Sequence, residues 1–243
     1  MMTIERVPTG VPGLDRMLCG GLLPGTVVLV RGAPGTGKTS LAFQFLIHGA
    51  QQGEGGLFIT FEEFPESLYR DAASLGLDLQ TLEREGKLHL IFTSPQVLLE
   101  SLQDPHSLIY RRFMSADVRR AVLDSATHFT RLTNDRLELR QYYTTLVNSL
   151  RRERITTLLL AEENRTEYQH AGRGALSFLA DGIILMRYVE IESEIQRAIV
   201  VLKLRGSDHA REICHYRIAQ GGLIVEGAFH GRQAILSGIS RRS

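Results

Sequence analysis

Short apolar runs alternate with longer apolar or amphipathic segments between residues 26 and 161. The run Thr26–Val30 is uninterrupted and rich in valine, which is typical of a parallel strand buried on both faces. The segment Ser40–Gly49 is apolar on nearly every side and ends at a glycine, which predicts a buried helix with a C-terminal stop. A strand followed by a helix is therefore the first unit that the pattern predicts.

The alternation continues along the chain and then changes into pairs of strands. Further strands are predicted over Leu57–Phe61, Lys87–Phe92, Val118–Asp124 and Ile155–Ala161, and helices over Pro65–Gly76 and Asp135–Arg154. Two hairpins are predicted after them, Ile183–Val189 with Ala198–Leu204 and Cys214–Ala219 with Leu223–Val225. This order predicts an α/β fold with a central, mostly parallel sheet flanked by helices and an antiparallel C-terminal extension.

Two segments do not fit this alternation. Phe92–Ala116 lacks a clear periodicity and contains Pro95 and Pro105, so it is predicted to be a long surface excursion. Residues 231–243 are polar and are predicted to form a mobile C-terminal tail. Because no linker or internal repeat interrupts the rest, residues 1–230 are predicted to form a single domain.

The composition is that of a soluble globular protein. Hydrophobic residues make up 43% of the chain and charged residues 23%, and the formal net charge of +1 gives no overall basic character that would favour nucleic acid. Cys19 and Cys214 match no metal or redox spacing, which favours free thiols in a reducing compartment. No signal peptide is recognisable and no apolar run is long enough for a bilayer, so we expect a cytoplasmic protein without membrane contact.

The segment from Gly32 to Thr39 fits the pattern G-x-x-x-x-G-K-[ST] of phosphate-binding loops (P-loops). It lies between a predicted strand and a predicted helix, which is the context that this motif requires. Glycines let backbone amides approach phosphate oxygens, and the N-terminus of the helix adds partial positive charge. Lys38, one of only three lysines in the chain, is expected to reach the β- and γ-phosphates. The residues expected to bind nucleotide here are Gly32, Ala33, Pro34, Gly35, Thr36, Gly37, Lys38, Thr39 and Ser40.

Acidic residues follow two of the other predicted strands. Asp124 ends an apolar strand, as the Mg²⁺-binding acid of such proteins does, and Thr39 is expected to ligate the same ion. Glu62 and Glu63 follow a strand whose carboxyl end lies at the same sheet edge as the P-loop. Two adjacent carboxylates raise the pKa of one of them, which suits a general base. The alternatives are a turn aspartate for Asp124 and a solvated acidic pair for Glu62 and Glu63.

Further motifs run along the chain in a fixed order. In addition to the P-loop they are Thr9–Asp15, Gly20-Gly21, Pro24-Gly25, Thr60–Glu63, Leu123–Ser125, Thr156–Ala161, Asp181–Leu185 and Lys203–His209. Together they resemble the KaiC branch of the RecA-like ATPases over roughly residues 4–226. The resemblance implies a RecA-like P-loop NTPase fold, with ATP and Mg²⁺ as cofactors and ATP hydrolysis as the reaction. KaiC has two such domains in tandem, and this chain resembles one of them.

The resemblance also assigns roles to individual residues. Glu62 and Glu63 match the catalytic glutamate pair, and Lys203-Leu204-Arg205 is similar to the finger that a neighbouring subunit inserts toward the γ-phosphate. His209 and Arg211 match positions that contact the neighbour's nucleotide. The resemblance therefore implies a homo-oligomeric ring, a hexamer, with Mg-ATP at the subunit interfaces. Without it, Lys203 and Arg205 are simply exposed positions of an alternating strand.

One departure from the family pattern concerns phosphorylation. Where the second KaiC domain has an adjacent Ser-Thr pair that is autophosphorylated, this chain has Ser177-Phe178. One acceptor is therefore lost, and a two-site phosphorylation cycle is not expected. Ser177 is the one residue that supports kinase activity, and a buried or capping serine is the favoured alternative.

Three functions remain open at this point. The first is a regulatory ring ATPase that signals through a protein partner. The second is a DNA-dependent ATPase, because Tyr110–Phe113 and Arg119-Arg120 mix arginine with aromatic residues as single-strand-binding loops do. Charge on a solvated loop is the favoured explanation of those arginines. The third is an ATP-bound scaffold with little turnover, and the choice between ATP and GTP has no readable motif.

Overall fold

The computed structural model of the protein describes residues 5–113, 117–163, 175–230, 232–233 and 241–242. The strands β1–β9 cover Val27–Gly32, Gly55–Thr60, Leu88–Phe92, Val118–Asp124, Thr156–Glu162, Gly182–Ile191, Glu194–Leu204, Cys214–Ala219 and Gly222–Ala228. The helices α1–α8 cover Pro12–Met17, Lys38–Gln51, Pro65–Ser74, Leu79–Arg84, Pro95–Ser101, Leu108–Phe113, Arg136–Arg152 and Ala175–Leu179. A 3₁₀ helix covers Ala126–Arg131, and two short strands, β10 (Arg232–Gln233) and β11 (Arg241–Arg242), pair with each other.

Strands β1–β9 form one sheet in the order β3-β2-β4-β5-β1-β6-β7-β8-β9. The first six strands in this order are parallel, and β7, β8 and β9 extend the sheet in antiparallel fashion. At the centre, Gly32 at the end of β1 is level with Glu162 on β5 and with Met186 on β6. The α/β fold class predicted from the sequence is confirmed.

Both faces of the sheet are covered, which explains the uninterrupted apolar strands. On β1, Val28 and Val30 point into a core that also contains residues of α1, α2 and α4. Val27 and Leu29 point into the opposite core, with residues of α5 and α7. The parallel strands therefore lie in the middle of three layers, and their carboxyl ends meet along one edge.

Helix α7 follows the predicted helix Asp135–Arg154 closely. The Asp135 carboxylate accepts a hydrogen bond from the amide of Leu137 at 2.7 Å and so caps the first turn. Its apolar face is buried, and Arg151 and Arg152 lie in the last turn, where cations are favoured by the helix dipole.

The prediction of a long surface excursion over Phe92–Ala116 is wrong. The segment contains α5 and α6, and Leu98 and Phe113 are buried in the core beneath them. The Ser94 hydroxyl accepts a hydrogen bond from Val97 at 3.2 Å, and Pro95 begins α5. Two helices of seven and six residues are too short for a periodicity to be visible. The sequence signal that could have indicated α5 is the N-cap serine Ser94 followed by Pro95.

Other predictions concern the ends of the chain and the membrane. Except for β10 and β11, the predicted mobile tail over residues 231–243 lies outside the described residues. Within the described part of the chain, no helix has both the length and the apolar character needed to cross a membrane. The structure also adds α1 and α4, which the sequence pattern did not reveal.

Candidate functional site

The P-loop leaves the sheet at the end of β1 and enters α2. Gly37 is the N-cap residue of α2 and has a φ of 91°, a left-handed conformation that favours glycine. At Gly32 a Cβ atom would lie 2.6 Å from the carbonyl oxygen of Met186 and 2.6 Å from Thr36 Oγ1. Because no side chain fits at these positions, the loop forms a concave main-chain surface at the N-terminus of a 14-residue helix.

Strands β6 and β8 support the outside of this loop. The Tyr216 hydroxyl is buried and donates a hydrogen bond to the carbonyl oxygen of Thr36. Burial raises the pKa of Tyr216, so the phenol keeps its proton and remains a donor. Ile218 packs against Gly37, where a Cβ atom would lie 2.5 Å from Ile218 Cδ1. The antiparallel extension of the sheet therefore fixes the shape of the P-loop.

A cavity of about 300 Å³ opens beside the loop. Its walls come from the P-loop, the first turn of α2, the segment after β2, helix α3 and strand β8. The lining residues are Gly35, Gly37, Lys38, Thr39, Ser40, Phe43, Glu63, Asp71, Ser74, Leu75 and Ile218. Five of the nine residues predicted to bind nucleotide, Lys38 among them, thus line one cavity of the size that small ligands occupy.

Lys38 is a buried cation that lies across the loop. Its Nζ atom donates hydrogen bonds to the carbonyl oxygens of Gly32 at 2.9 Å and Ala33 at 3.1 Å. Burial lowers the pKa of Lys38, and the nearby carboxylates of Asp124 and Glu162 oppose that effect. A buried ammonium group held by main-chain carbonyls can exchange them for more negative oxygens.

The structure brings Thr39 and Asp124, the two expected Mg²⁺ ligands, into contact. The Thr39 hydroxyl donates a hydrogen bond to Asp124 Oδ2 at 3.0 Å, across 85 residues of sequence. Burial raises the pKa of Asp124 to about 6, while the Thr39 hydrogen bond and the charge of Lys38 oppose the rise. A hydroxyl oxygen beside a buried carboxylate is a ligand pair suited to Mg²⁺.

Glu62 and Glu63 separate in space although they are adjacent in sequence. Glu63 lines the cavity, whereas Glu62 Oε1 lies 3.1 Å from His128 Nε2 and 3.2 Å from Arg131 Nη2. The pKa of Glu63 is raised, first by burial and then by the negative charges of Asp71 and Glu62. The expected effect of a neighbouring carboxylate is therefore present at Glu63, but burial is the larger cause.

A buried ion pair beside the end of β1 was not identified from the sequence. Gly32 is the last residue of β1 that pairs with β5 and β6, and it is level with Glu162 and Met186. The residues that follow these two, Glu163 and Arg187, contact each other where β1 no longer separates them. The Glu163 carboxylate binds the Arg187 guanidinium through two hydrogen bonds of 2.8 and 3.0 Å, and both side chains are buried. The signal in the sequence was Glu162-Glu163, a pair of acids at a strand end like Glu62-Glu63.

Lys203 and Arg205 lie at the other edge of the sheet from the P-loop of the same chain. Strand β7 ends at Leu204, which pairs with Gly182 at the start of β6. Lys203 Nζ donates hydrogen bonds to carbonyl oxygens at the end of α8, and Arg205 Nη2 donates one to the carbonyl oxygen of Phe178 at 2.8 Å. The structure therefore does not bring these two cations to the cavity within one chain.

His209 and Arg211 follow β7, in the segment that leads to β8. Among the described residues that line the cavity, neither of them is present. His209 donates its amide to its neighbour Asp208, and the amide of Ala210 binds the carbonyl oxygen of Met17. Their predicted contact with a neighbour's nucleotide stays a prediction.

Ser177 is buried, which agrees with the favoured interpretation of it as a buried or capping serine.

The structure removes two residues from the candidate DNA-binding surface. Arg120 is 1% exposed, forms an ion pair with Glu54 and lies over the ring of Phe45. Phe113 is buried as well, so neither residue can contact a nucleic acid strand. The residue pattern did not reveal the burial of Arg120, because an arginine in a strand can bury its charge by binding a carboxylate and main-chain carbonyls.

Comparison with known proteins identifies the chain's relatives. The family described as "ATPase: KaiC" matches residues 7–228. The circadian clock oscillator protein KaiC of Picosynechococcus is 33% identical over 239 residues, which are 98% of this chain and 46% of that protein. The circadian clock protein KaiC3 of Synechocystis is 35% identical over 216 residues, covering 86% of this chain and 43% of that protein.

A solved structure has the same fold and a similar size. It is the KaiC-like protein of the hyperthermophilic archaeon Pyrococcus horikoshii OT3, with a TM-score of 0.80 and 30% sequence identity, covering 92% of this chain and 100% of that one. By contrast, this chain spans less than half the length of the two KaiC relatives named above. The match over nearly the whole chain shows that the protein belongs to the KaiC family of ATPases.

Proposed function

We propose that this protein binds Mg-ATP on its P-loop and hydrolyses it in a site completed by a second copy of the chain. The observation that carries the proposal is the cluster of Lys38, Thr39 and Asp124 at the carboxyl edge of the sheet. Lys203 and Arg205, the expected transition-state cations, lie at the opposite edge. If these cations act, they act on another subunit.

The residues present fit a metal-bound triphosphate. The loop positions Gly32, Gly35 and Gly37 leave a space that a Cβ atom would fill, and the first turn of α2 has no capping side chain. Main-chain amides are therefore free to face phosphate oxygens. Thr39 and Asp124 would hold Mg²⁺, which when bound neutralises phosphate charge and orients the oxygens.

The chain's own groups then have distinct tasks in the proposed reaction. Lys38 exchanges its main-chain carbonyl partners for phosphate oxygens. A carboxylate of the pair Glu62 and Glu63 orients a water molecule and accepts its proton as the water oxygen bonds to the γ-phosphorus. The bond from that phosphorus to the β,γ-bridging oxygen breaks, and ADP and inorganic phosphate leave. Positive charge brought by Lys203 and Arg205 of a neighbour offsets the charge that develops on the transferred group.

We further propose a closed homo-oligomeric ring, a hexamer, in which hydrolysis changes the contacts between subunits. A contact between unlike surfaces of identical chains produces either a ring or a filament, and the family resemblance favours the ring. In this form the protein acts as a regulatory ATPase in the cytoplasm, with a protein partner reading the state of the ring. The burial of Arg120 and Phe113 weighs against a DNA-dependent role.

The test combines particle mass with phosphate release. We expect a monomer or small species without nucleotide, a ring with Mg-ATP, and steady phosphate release by that ring. Lys38→Ala should lose nucleotide binding and, with it, both ring formation and turnover. A wild-type protein that forms the ring without releasing phosphate would instead be the ATP-bound scaffold, and one that leaves the P-loop empty would contradict the proposal as a whole.

A further inference from the structure

Two phenylalanine rings stack on each other in solvent at the carboxyl edge of the sheet. Phe64 is 59% exposed and Phe92 is 43% exposed, and their ring centroids are 4.4 Å apart. Phe64 directly follows Glu62-Glu63, and Phe92 ends β3, the outermost strand. An apolar pair therefore lies beside two carboxylates; we call Phe64 and Phe92 the aromatic stack.

A single phenylalanine is exposed at the opposite edge. Phe178 on α8 is 59% exposed, and its carbonyl oxygen accepts the 2.8 Å hydrogen bond from Arg205. Lys203 binds the carbonyl oxygens of Ser177 and Ala180, on either side of Phe178. An apolar ring therefore lies beside two cations at this edge.

The two surfaces are complementary in charge and in character. One presents aromatic rings beside Glu63, whose neighbour Glu62 already pairs with His128 and Arg131. The other presents an aromatic ring beside Lys203 and Arg205, so both the aromatic stack and the Glu63 carboxylate have counterparts. Since β7 ends at the amino edge and β2 ends at the carboxyl edge, the two surfaces face opposite ways and cannot meet within one chain. A second copy of this chain therefore has the chemistry that matches the Phe64–Phe92 surface.

We propose that Phe178 of one copy docks on the Phe64–Phe92 aromatic stack of the next copy. This inference rests on the proposed function, because the same contact brings Lys203 and Arg205 toward the neighbour's Glu62 and Glu63. Aromatic side chains buried at the centre of an interface commonly supply most of its binding energy. The residue that replaces a phosphorylation acceptor of the family is thus an anchor between subunits.

Directional cross-linking tests the contact. In a Cys19→Ser background, Phe64→Cys and Phe178→Cys chains are prepared separately, mixed with Mg-ATP and treated with a short bis-maleimide. We expect a cross-linked dimer in the mixture and none with either chain alone, since the contact joins unlike positions. A chain carrying both substitutions should give a ladder that ends at the closed ring. As a matched control, Leu108→Cys, at a position 76% exposed on α6, should not link to Phe178→Cys.

Assembly measurements provide the second readout. Phe64→Ala and Phe178→Ala should each raise the protein concentration at half-assembly by roughly tenfold. In the double variant this concentration should be no higher than in the more impaired of the two single variants. Leu108→Ala should leave this concentration unchanged. Both phenylalanines are exposed, so loss of fold is not expected to interfere.

The outcomes separate this contact from the proposed function. A ring that turns over ATP but gives no cross-link between positions 64 and 178, with additive alanine effects, would overturn the aromatic contact and leave the ATPase proposal standing. A protein that stays monomeric with Mg-ATP would overturn both. A cross-link only in the mixture, with non-additive alanine effects, supports the contact.

Discussion

The chemistry of the candidate site depends on a few side chains at the ends of β2 and β4. Glu63 lines the cavity, whereas Glu62 binds His128 and Arg131. Since a glutamine has the shape of a glutamate but cannot accept a proton as a base, exchange at these positions would remove the proposed proton transfer with little change in packing.

We expect the double variant Glu62→Gln/Glu63→Gln to bind ATP with nearly unchanged affinity and to lose most phosphate release, by about 10²–10⁴-fold for the loss of a general base. Single-turnover phosphate release and nucleotide affinity, measured on the same preparation, check this. The two single variants show which carboxylate carries the effect. Turnover retained in the double variant would move the base to another residue.

The raised pKa of Asp124 predicts how stability and metal affinity depend on pH. An unperturbed aspartate has a pKa of about 4, and burial raises that of Asp124 to about 6. The folded protein without metal therefore holds a proton that the unfolded chain has lost, and its stability should fall as the pH rises from about 4 to about 6. Mg²⁺ competes with that proton, so metal affinity should fall as the pH drops below about 6.

Denaturant unfolding of the metal-free protein at several pH values, beside Asp124→Asn, measures the first effect. The asparagine cannot ionise, so the difference in unfolding free energy between the two proteins should change across this window. A constant difference would show that Asp124 does not titrate there.

At the scale of elements, the P-loop owes its position to the strands around it. Strand β1 is held between β5 and β6 as far as Gly32, and the Glu163–Arg187 ion pair joins β5 to β6 where β1 leaves them. A buried charge pair contributes little net stability, but removal of one partner takes away part of the charge compensation of the partner that stays buried.

Glu163→Gln should therefore reduce the free energy of unfolding, by at most about 3–5 kcal/mol. The double variant Glu163→Leu/Arg187→Met, with side chains of similar volume and no charge, should recover most of that loss. Chemical denaturation of the three proteins compares them. Equal stability of the single variant and the wild type would mean that Arg187 does not depend on Glu163.

What the sequence could predict at this scale followed from local signals. The apolar strands, the P-loop and helix α7 each carry their signal in adjacent residues, and their predictions are confirmed. The helices α5 and α6 were missed because neither is long enough to show a periodicity. The Glu163–Arg187 pair and the burial of Arg120 depend on which strands are neighbours in the sheet, and a residue pattern along one chain does not contain that information.

The whole molecule has two unlike ends, with the P-loop at one edge of the sheet and Lys203 and Arg205 at the other. The motifs of both surfaces were recognisable in the sequence, but that they lie at opposite edges depends on the pairing of β6 with β7. Lys203→Ala is expected to bind ATP almost normally and to hydrolyse it far more slowly, as for a missing cation at the transition state.

Mixing two inactive variants tests whether that cation acts across an interface. A Lys203→Ala chain retains Glu62 and Glu63, and a Glu62→Gln/Glu63→Gln chain retains Lys203, so one of the mixed interfaces has all these groups intact. Random assembly of equal amounts should restore about a quarter of the wild-type rate, because one interface in four combines the intact halves. A rate no higher than the mean of the two separate variants would place Lys203 outside the neighbour's site.

The opposite placement of the P-loop and the end of β7 also sets how many sites an assembly can have. In the proposed arrangement every chain brings two unlike halves, and neither half is competent alone. A closed circle matches every half, whereas an open row leaves one of each kind unmatched at its ends. Removal of one chain from the circle would therefore leave two sites incomplete rather than one, and the total rate of the assembly would fall more steeply than its number of chains.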